Sequence, residues 1–341
     1  MKATVIGAGN IGMATGAYLS ELGCDITVYT RDERKAVKLR SEGLYSEGKI
    51  EGHFNLNAYS NYKDALADAE YILITTLANN HLDVFKAIKP YLEKGQKIII
   101  FNGNWGAFEA KEYYKNFLKD NEIIVAETGA MLFMAKAYEI GKVNILGIKK
   151  QITISTINSN DVDIVLNDLK NIFPQFKKVS SIYETSISTT NPVIHVPLTI
   201  FNLARIEEGQ DFSFYGEGVS KSEIAYIEGI DKERISIAER IGFTCPSILE
   251  SINSFFDIKY DNLYDALNKN EIYIKGKAPT SLSHRYITED IPYGIVPIVK
   301  LGKVLGIDTK YSEALVKLAG LVLNINFLEA GVSIFKENII S

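Results

Sequence analysis

Short apolar runs alternate with amphipathic stretches over the first half of this 341-residue chain. The runs are rich in β-branched residues, as buried strands are, whereas a later stretch, Asp161–Phe173, has helical spacing. The predicted strands are Ala3–Ile6, Asp25–Tyr29, Tyr71–Thr75, Lys97–Phe101, Ile123–Ala126 and Ile152–Ile157. Because strands that are separated by helices usually pair in parallel, the pattern predicts an α/β domain with a doubly wound sheet.

The pattern changes to long helical periods from Asn191 onward. Ser220 is followed three residues later by Glu223, a capping-box spacing, and the helix that it opens is expected to stop at Gly242. We therefore predict an α/β domain over residues 1–184 and an all-helical domain over residues 185–341. The chain has no linker-like Pro/Gly/Ser run, so the domains are expected to pack directly and to leave a cleft, where substrates commonly bind.

A glycine motif follows the first strand. Gly7, Gly9 and Gly12 form GxGxxG directly after Lys2–Ile6 and open a helix that ends at Gly23. The first glycine permits a tight turn, the second lets the backbone approach a pyrophosphate, and the third lets the helix pack on the strand. One helix face is predicted to carry Ile11, Tyr18, Leu19 and Leu22. This Rossmann-like unit predicts a dinucleotide site at Gly7, Gly9, Asn10, Ile11 and Gly12.

The end of the second strand bears on which dinucleotide binds. Thr30, Arg31 and Asp32 follow Tyr29. A carboxylate here accepts the ribose hydroxyls of NAD, whereas a guanidinium pairs with the 2′-phosphate of NADP. Arg31 lies nearer the strand end than Asp32, so NADP is favoured over NAD. The alternative is that Arg31 is a solvated loop charge.

Two further strand ends are predicted to line the cofactor, because ligands of open α/β sheets bind at the carboxyl ends of strands. Thr75, Thr76 and Leu77 follow the strand at Tyr71, and Asn102 and Gly103 follow the strand at Lys97. Ordinary turns are the alternative in both places.

The histidines differ in their surroundings. His53 lies in a polar segment and is expected at the surface, and His81 suits a helix start better than catalysis. His195 belongs to the segment Asn-Pro-Val-Ile-His-Val-Pro, in which Asn191 and Pro192 suit the start of a helix. A satisfied core histidine and a catalytic one both fit His195. Its helix face would also carry two polar residues, Thr199 and Asn202.

A charged segment begins at His284. It carries a guanidinium at Arg285 and carboxylates at Glu289 and Asp290 before Pro292. This segment could be a charged corner in contact with solvent. It could equally be part of a site in which the guanidinium holds a substrate carboxylate and a carboxylate orients an imidazole.

The order of these motifs resembles the octopine/nopaline (opine) dehydrogenase family. The resemblance covers GxGxxG, then NPxxH, then Arg-Tyr-x-x-Glu-Asp-x-Pro-x-Gly, together with the segment Phe214–Gly218 and the stretch that begins at Asp231. Members of that family use NAD(P)H to condense an amino acid with a 2-oxo acid, often pyruvate, through an imine to a secondary-amine dicarboxylate.

The resemblance implies a role for each site residue. His195 would be the acid/base, Asp290 would fix its tautomer, and Arg285 would hold the oxo-acid carboxylate. Thr199 and Asn202 would contact substrate. The segment Ala130–Lys136 departs from the family, which has a proline–aromatic stretch ending in arginine there, and so leaves the amino-acid preference open.

Two other functions remain open at this point. A ketone or 2-oxo-acid reductase of the ketopantoate or glycerol-phosphate dehydrogenase type shares the layout but usually relies on a lysine acid. A protein that senses NAD(P) without turnover would also keep the glycine motif.

Composition excludes several partners. A net charge of −5 gives no reason to bind nucleic acid or an anionic membrane. Cys24 and Cys245 lie far apart without zinc-ligand spacing, so no metal site is predicted, and a reducing, cytoplasmic location fits. No membrane-spanning run or export signal is present in the pattern. An apolar helix expected over Glu313–Phe335 suits core packing or a homodimer.

Overall fold

The strands of the first half of the chain form two sheets. The computed structural model describes residues 1–256 and 258–332. Internal contacts divide the chain into one unit over Met1–Ser186 and a second from Ile187 onward. The strands are β1 (Lys2–Ile6), β2 (Asp25–Tyr29), β3 (Leu44–Gly48), β4 (Gly52–Phe54), β5 (Asn57–Tyr59), β6 (Tyr71–Ile74), β7 (Lys97–Ile100), β8 (Ile124–Thr128), β9 (Phe133–Glu139), β10 (Lys142–Ile148), β11 (Ile152–Thr156) and β12 (Phe176–Lys178).

The larger sheet has the order β12-β11-β8-β7-β6-β1-β2-β5. The chain leaves β1 toward β2 on one side and later resumes at β6 on the other, so the strand order reverses beside β1. Such a switch point leaves a crevice at the carboxyl ends of the strands, which is where Gly7 begins. The Rossmann-like sheet predicted from the sequence is therefore confirmed, with strand ends that differ by one or two residues.

One pairing in this sheet is not parallel. β8 pairs with β11 in the antiparallel sense, and every other pairing is parallel. The connection from β8 to β11 runs through the hairpin of β9 and β10 rather than through a crossover helix, so the chain returns in the opposite direction.

The smaller sheet, of order β4-β3-β10-β9, was not predicted. Its strand β3 pairs in parallel with β10, almost 100 residues later in the chain. β3 and β4 are short and mostly exposed, so they carry little apolar periodicity. His53 lies in β4, exposed as expected, and its ring stacks on Tyr45 with centroids 4.0 Å apart.

Helices pack on both faces of the larger sheet. They are α1 (Asn10–Glu21), α2 (Glu33–Glu42), α3 (Tyr62–Leu66), α4 (His81–Ile88), α5 (Gly106–Tyr114), α6 (Asn116–Asp120), α7 (Val162–Leu169) and α8 (Ile182–Ile187). One apolar cluster surrounds Leu19 and Val28, and another surrounds Phe85 and Ile98. The prediction that Leu22 lies on the buried face of α1 is wrong: it is 45% exposed, because the helix ends at Glu21 and the chain turns away.

The described part of the second unit is helical apart from an isolated bridge between Ser213 and Lys277. Its described helices are α9 (Asn191–Phe201), α10 (Leu203–Glu207), α11 (Lys221–Ile241), α12 (Ile248–Phe256), α13 (Leu263–Asn268), α14 (Glu271–Ile274), α15 (Arg285–Thr288), α16 (Val296–Leu305), α17 (Lys310–Leu323) and α18 (Phe327–Ala330). A short π-helical turn, Ile291–Ile295, joins α15 to α16. The central helix α11 packs against α9, α16 and α17.

Local signals set most of these helix ends. Ser220 and Glu223 form the predicted capping box of α11, and Gly242 ends that helix with φ +110°. The cap of α9 is Thr190 rather than Asn191, which occupies the first helical position. The prediction of one helix over Glu313–Phe335 is wrong, since α17 ends at Leu323 and Asn324 adopts a left-handed conformation. Residues 333–335 of that prediction lie outside the described residues.

Candidate functional site

The glycine loop between β1 and α1 has the geometry of a phosphate cradle. Gly7 has φ +116°, and its N–H donates to the carbonyl of Tyr29 at 3.0 Å. A Cβ on Gly12 would lie 1.7 Å from the Gly7 oxygen, so only glycine fits at position 12, where the helix packs against the preceding loop. A Cβ on Gly9 would meet nothing within 4 Å, and no side chain caps α1. The uncapped N–H groups therefore remain available for an anion.

Asn10 and Ile11, the other residues predicted in this loop, have side chains turned toward the protein. The Asn10 side-chain oxygen accepts a hydrogen bond from the backbone N–H of Ala137 on β9 at 2.9 Å. Ile11 packs against the apolar cluster of the unit. Asn10 is nevertheless exposed, so its side-chain nitrogen and its backbone both remain open to a dinucleotide, whereas Ile11 is partly buried.

The end of β2 separates the three residues that bear on cofactor preference. Thr30 is buried, and Asp32 caps α2 by accepting from the N–H of Arg34 at 3.0 Å. The hydrogen bond from the Arg34 side chain is the main cause that lowers the pKa of Asp32. Arg31 is exposed, and its side chain has no hydrogen bond or ion pair within the described residues. The carboxylate thus serves the helix cap, while the guanidinium is left to face solvent.

The residues that follow β6, which were predicted to line the cofactor, partly make contacts within the fold. The Thr75 hydroxyl donates to the Ile6 carbonyl at 3.0 Å and lies against Gly7 and Gly12. The Thr76 hydroxyl is buried with no hydrogen-bond partner within the described residues. Leu77 is 37% exposed.

The strand end after β7 packs on a buried acid. Asn102 has φ +49°, and its N–H donates to the Thr128 hydroxyl. A Cβ on Gly103 would lie 2.0 Å from Cγ of Glu127, so glycine is required there by packing. Glu127 accepts hydrogen bonds from the Thr185 and Ser186 hydroxyls, and burial raises the pKa of its carboxyl. No sequence pattern marks Glu127 as a buried acid.

His195 is the centre of a buried polar chain in the helical unit. It lies on α9, is 4% exposed, and its Nδ1 lies 2.7 Å from Oδ2 of Asp290. Asp290 is itself 2% exposed and immediately precedes the π-helical turn. A carboxylate only accepts hydrogen bonds, so Nδ1 donates and Nε2 of the neutral ring is the acceptor.

The second ring nitrogen also has a partner. Nε2 of His195 lies 2.8 Å from the hydroxyl oxygen of Tyr215, and the ring stacks on Tyr286 with centroids 3.9 Å apart. Burial lowers the pKa of His195, which Asp290 raises in part and Arg285 lowers further. The imidazole is therefore neutral near pH 7 and can act as a base.

Arg285 lies at the start of α15, on the same segment as Asp290. Its Nη1 lies 3.2 Å from Oε2 of the buried Glu289, and its side chain is 38% exposed. Burial lowers the pKa of the guanidinium, but Asp290 and Glu289 raise it overall. Glu289 engages one edge of the fork, so the rest of the planar guanidinium remains for a second carboxylate.

Thr199 and Asn202 share the His195 side of α9, as the spacing predicts, but both are hydrogen-bonded within the fold. The Thr199 hydroxyl donates to the His195 carbonyl at 2.7 Å. The Asn202 amide donates to the carbonyls of Leu198 and Gly218 at 2.9 Å. These contacts hold the helix and the adjoining loop.

Tyr215 and Tyr286 were not assigned a role from the sequence. Tyr215 lies in Phe214–Gly218 and Tyr286 follows His284, and both segments carry the family resemblance. An aromatic residue within each motif was therefore the only sign of these two phenols in the sequence. The described residues contain no His/Cys/Asp/Glu group arranged to hold a metal ion. Within the same residues no helix is long and apolar enough to cross a membrane.

Comparisons with known proteins match both halves of the chain. The family model described as NAD/NADP octopine/nopaline dehydrogenase, alpha-helical domain, matches residues 178–323, and that of ketopantoate reductase PanE/ApbA matches residues 3–159. An opine dehydrogenase of Arthrobacter sp. (strain 1C) is 29% identical over 97% of this chain and 93% of its own length. A vitopine synthase of Allorhizobium ampelinum is 23% identical over 99% of this chain and 95% of its own.

Solved structures share the fold. Octopine dehydrogenase in complex with NADH and agmatine superposes with a TM-score of 0.78 at 19% identity, over 97% of this chain and 94% of its own. Yersinopine dehydrogenase bound to NADP+ superposes at 0.76 and 14% identity, over 100% of this chain and 95% of its own. A ketopantoate reductase of Ralstonia eutropha superposes at 0.70 and 16% identity, over 95% of this chain and 99% of its own.

Proposed function

We propose that this chain, which belongs to the octopine/nopaline dehydrogenase family, is an opine dehydrogenase. It condenses an amino acid with a 2-oxo acid to an imine and reduces the imine to a secondary-amine dicarboxylate. The bound NAD(P)H supplies the hydride. The observation that carries the proposal is a buried histidine in the helical unit, held by a carboxylate on one side and a phenol on the other.

The condensation needs a group that moves protons in both directions. An amino acid is largely an ammonium ion near pH 7 and must lose a proton before its nitrogen can attack a carbonyl carbon. The carbinolamine oxygen must then gain a proton to leave as water. His195 is suited to both steps, because its imidazole is neutral near pH 7 and Asp290 stabilises the imidazolium that forms.

Arg285 holds the carboxylate of the 2-oxo acid. Its fork can make two parallel hydrogen bonds to a carboxylate, which fixes the orientation of the adjacent carbonyl carbon. Arg285 lies five residues before Asp290, so one segment carries both the residue that binds the substrate carboxylate and the residue that orients His195. Thr199 and Asn202 act on the substrate through the helix that they stabilise rather than by direct contact.

The glycine loop fits a dinucleotide, and we propose NADP as the preferred one. Gly9 leaves open space at an uncapped helix N-terminus, as a pyrophosphate requires. At the end of β2, Arg31 has no hydrogen bond or ion pair within the described residues, while Asp32 caps α2. The solvent-facing guanidinium suits the 2′-phosphate of NADP, whereas an NAD site would use the Asp32 carboxylate for the ribose hydroxyls.

The substrate pair is proposed from the relatives and the site together. Relatives carry the names opine dehydrogenase, vitopine synthase and octopine dehydrogenase, and one solved octopine dehydrogenase contains NADH and pyruvate. Pyruvate is a small 2-oxo acid, and its carboxylate suits the Arg285 fork. Both described thiols are free, which supports a reducing, cytoplasmic location.

A homodimer is also proposed. Several apolar residues of α17 remain exposed in the described part of the chain, among them Leu318, Leu321 and Val322. Light scattering of the purified protein tests this proposal, since a monomer mass over the working concentration range would exclude it.

A simple reductase of 2-oxo acids or ketones is the second candidate, because the ketopantoate reductase model matches residues 3–159. Its match ends before the helical unit, where the His195–Asp290 pair lies. The two functions differ in whether an amine is required.

A two-substrate screen tests the proposal. Each of the twenty amino acids is combined with pyruvate, glyoxylate or 2-oxoglutarate and with NADH or NADPH, and loss of the reduced cofactor is followed by absorbance. We expect rapid oxidation only when amino acid and 2-oxo acid are both present. Equal rates without the amino acid would favour the simple reductase, and binding of cofactor without any turnover would favour a sensor of NAD(P).

A further inference from the structure

Both ring nitrogens of His195 are engaged inside the helical unit. Nδ1 faces Asp290 at 2.7 Å, and Nε2 faces the Tyr215 hydroxyl at 2.8 Å. The histidine is 4% exposed, whereas Tyr215 is only partly buried. We propose that the Tyr215 hydroxyl is the group that exchanges protons with the substrate, and that His195 acts through it. This inference rests on the proposed function, since it assigns the proton path of that reaction.

Tyr215 is held in place by its own segment. The neighbouring Phe214 N–H donates to the Gly276 carbonyl at 2.8 Å, and the Ser213 hydroxyl donates to the Ile274 carbonyl at 2.6 Å. A Cβ on Gly276 would lie 3.1 Å from the Tyr215 ring, and the ring packs on Tyr273 with centroids 4.8 Å apart. These contacts fix the position of the Tyr215 ring and its hydroxyl.

The hydrogen-bond directions define the resting state of the relay. Asp290 accepts from Nδ1–H, so Nε2 accepts from the Tyr215 O–H. Burial raises the pKa of Tyr215 well above its ordinary value, with Tyr286 and Tyr273 adding to the rise and Arg285 opposing it. The phenol therefore stays protonated at rest and does not act as an independent phenolate base.

Proton transfer through Tyr215 balances in both directions. When the substrate ammonium is deprotonated, its proton passes to the Tyr215 oxygen while the phenol proton passes to Nε2, which leaves a neutral phenol and an imidazolium paired with Asp290. In the dehydration step the phenol proton passes to the carbinolamine oxygen and the Nε2 proton returns to Tyr215. The C–O bond then breaks, water leaves, and the nitrogen lone pair forms the C=N bond.

Tyr215→Phe tests the relay, because it removes the hydroxyl and keeps the ring. Tyr226→Phe is the matched control: Tyr226 is another partly buried tyrosine of the helical unit, and its hydroxyl donates to the Tyr311 carbonyl at 2.7 Å. We expect Tyr215→Phe to lower kcat by about 10²–10⁴-fold, the usual range for a lost acid/base group, with KM for the amino acid changed less than about threefold. Tyr226→Phe should leave both values unchanged.

Two results would overturn the relay. If Tyr215→Phe keeps kcat within about threefold of the parent, the phenol carries no proton that matters to the rate. If it raises kcat and lowers KM for the amino acid, the phenol is an obstacle that the substrate must displace.

A spectroscopic readout separates failure of the relay from failure of the proposed function. In ¹⁵N spectra of protein with labelled histidine, assigned with His195→Gln, the acceptor nitrogen of His195 should shift in Tyr215→Phe and stay in place in Tyr226→Phe. Absence of that shift overturns the relay whatever the substrate is. A clear shift in a protein that consumes no cofactor with any amino acid and 2-oxo acid would instead refute the proposed function alone.

Discussion

Asp290→Asn removes the charge that holds His195 while preserving the size of the side chain. An asparagine amide can donate to Nδ1, and the ring would then carry its proton on Nε2, where it points at Tyr215 instead of accepting from it. The contact is short, at 2.7 Å, and both partners are less than 5% exposed, so solvent does not substitute for the lost carboxylate.

The expected loss follows from comparable arrangements. Where an aspartate orients a catalytic histidine, the same substitution lowers kcat by about 10⁴-fold with the geometry intact. For this chain we expect a fall of about 10³–10⁴-fold, or about 4–5.5 kcal/mol of transition-state stabilisation. Asp290 also raises the pKa of His195 against the lowering by burial. Its loss should therefore shift the acid limb of the remaining kcat profile to lower pH.

Steady-state kinetics over a range of pH, with amino acid and 2-oxo acid both saturating, measure this effect. Asp211→Asn is the control, because Asp211 forms an exposed ion pair with Lys277 and such pairs contribute about 0–1 kcal/mol. Binding of the reduced cofactor, followed by its fluorescence, should be the same in both variants. A kcat for Asp290→Asn within about tenfold of the parent would refute the reasoning that Asp290 fixes the tautomer of the base.

Four other substitutions test the glycine loop, the cofactor preference and a buried acid. Gly12→Ala should abolish cofactor binding and lower the melting temperature, since its Cβ would lie 1.7 Å from a carbonyl oxygen. Gly9→Ala should weaken cofactor binding but preserve the melting temperature, because its Cβ would meet nothing within 4 Å. Fluorescence titration and thermal unfolding separate the two variants, and equal behaviour of both would contradict the loop geometry. Arg31→Ala should raise KM for NADPH about 10–100-fold through loss of a charged hydrogen bond, with KM for NADH nearly unchanged, and a parallel change in both would remove the NADP assignment. Glu109→Gln should flatten the pH dependence of the free energy of unfolding. Burial and Glu127 raise the pKa of Glu109 from 4.5 to about 7, so the folded state binds this proton more tightly than the unfolded state does. Stability of the parent protein therefore falls as pH rises through that interval. Urea midpoints from pH 5 to pH 8 measure this slope, and an unchanged slope in the variant would disprove it.

Features of the fold that depend on local sequence could be predicted, and those that depend on distant pairing could not. The loop from Gly7 to Gly12 joins one strand to the next helix, so spacing alone defines its geometry. The capping box at Ser220 is equally local. In contrast, β3 pairs with β10 across almost 100 residues, and its short, exposed sequence has no apolar period that would reveal it.

The candidate site shows the same division. Helical spacing correctly places Thr199 on the His195 side of α9, yet spacing does not set a rotamer, and the hydroxyl turns back to a helix carbonyl. Asp290 lies 95 residues from His195, so the charged segment suited a solvated corner equally well until the family resemblance favoured that pair. Tyr215 was missed because a phenol beside a glycine carries no local sign of its partner.

The mass of the product distinguishes an opine dehydrogenase from a simple reductase of 2-oxo acids. The protein is incubated with a ¹⁵N-labelled amino acid, pyruvate and reduced cofactor, and the products are analysed by mass spectrometry. We expect one new ¹⁵N-containing species whose mass equals that of the two substrates together less one oxygen atom, and we expect this species to be absent with His195→Ala. Formation of lactate, with the labelled amino acid recovered unchanged, would contradict the account.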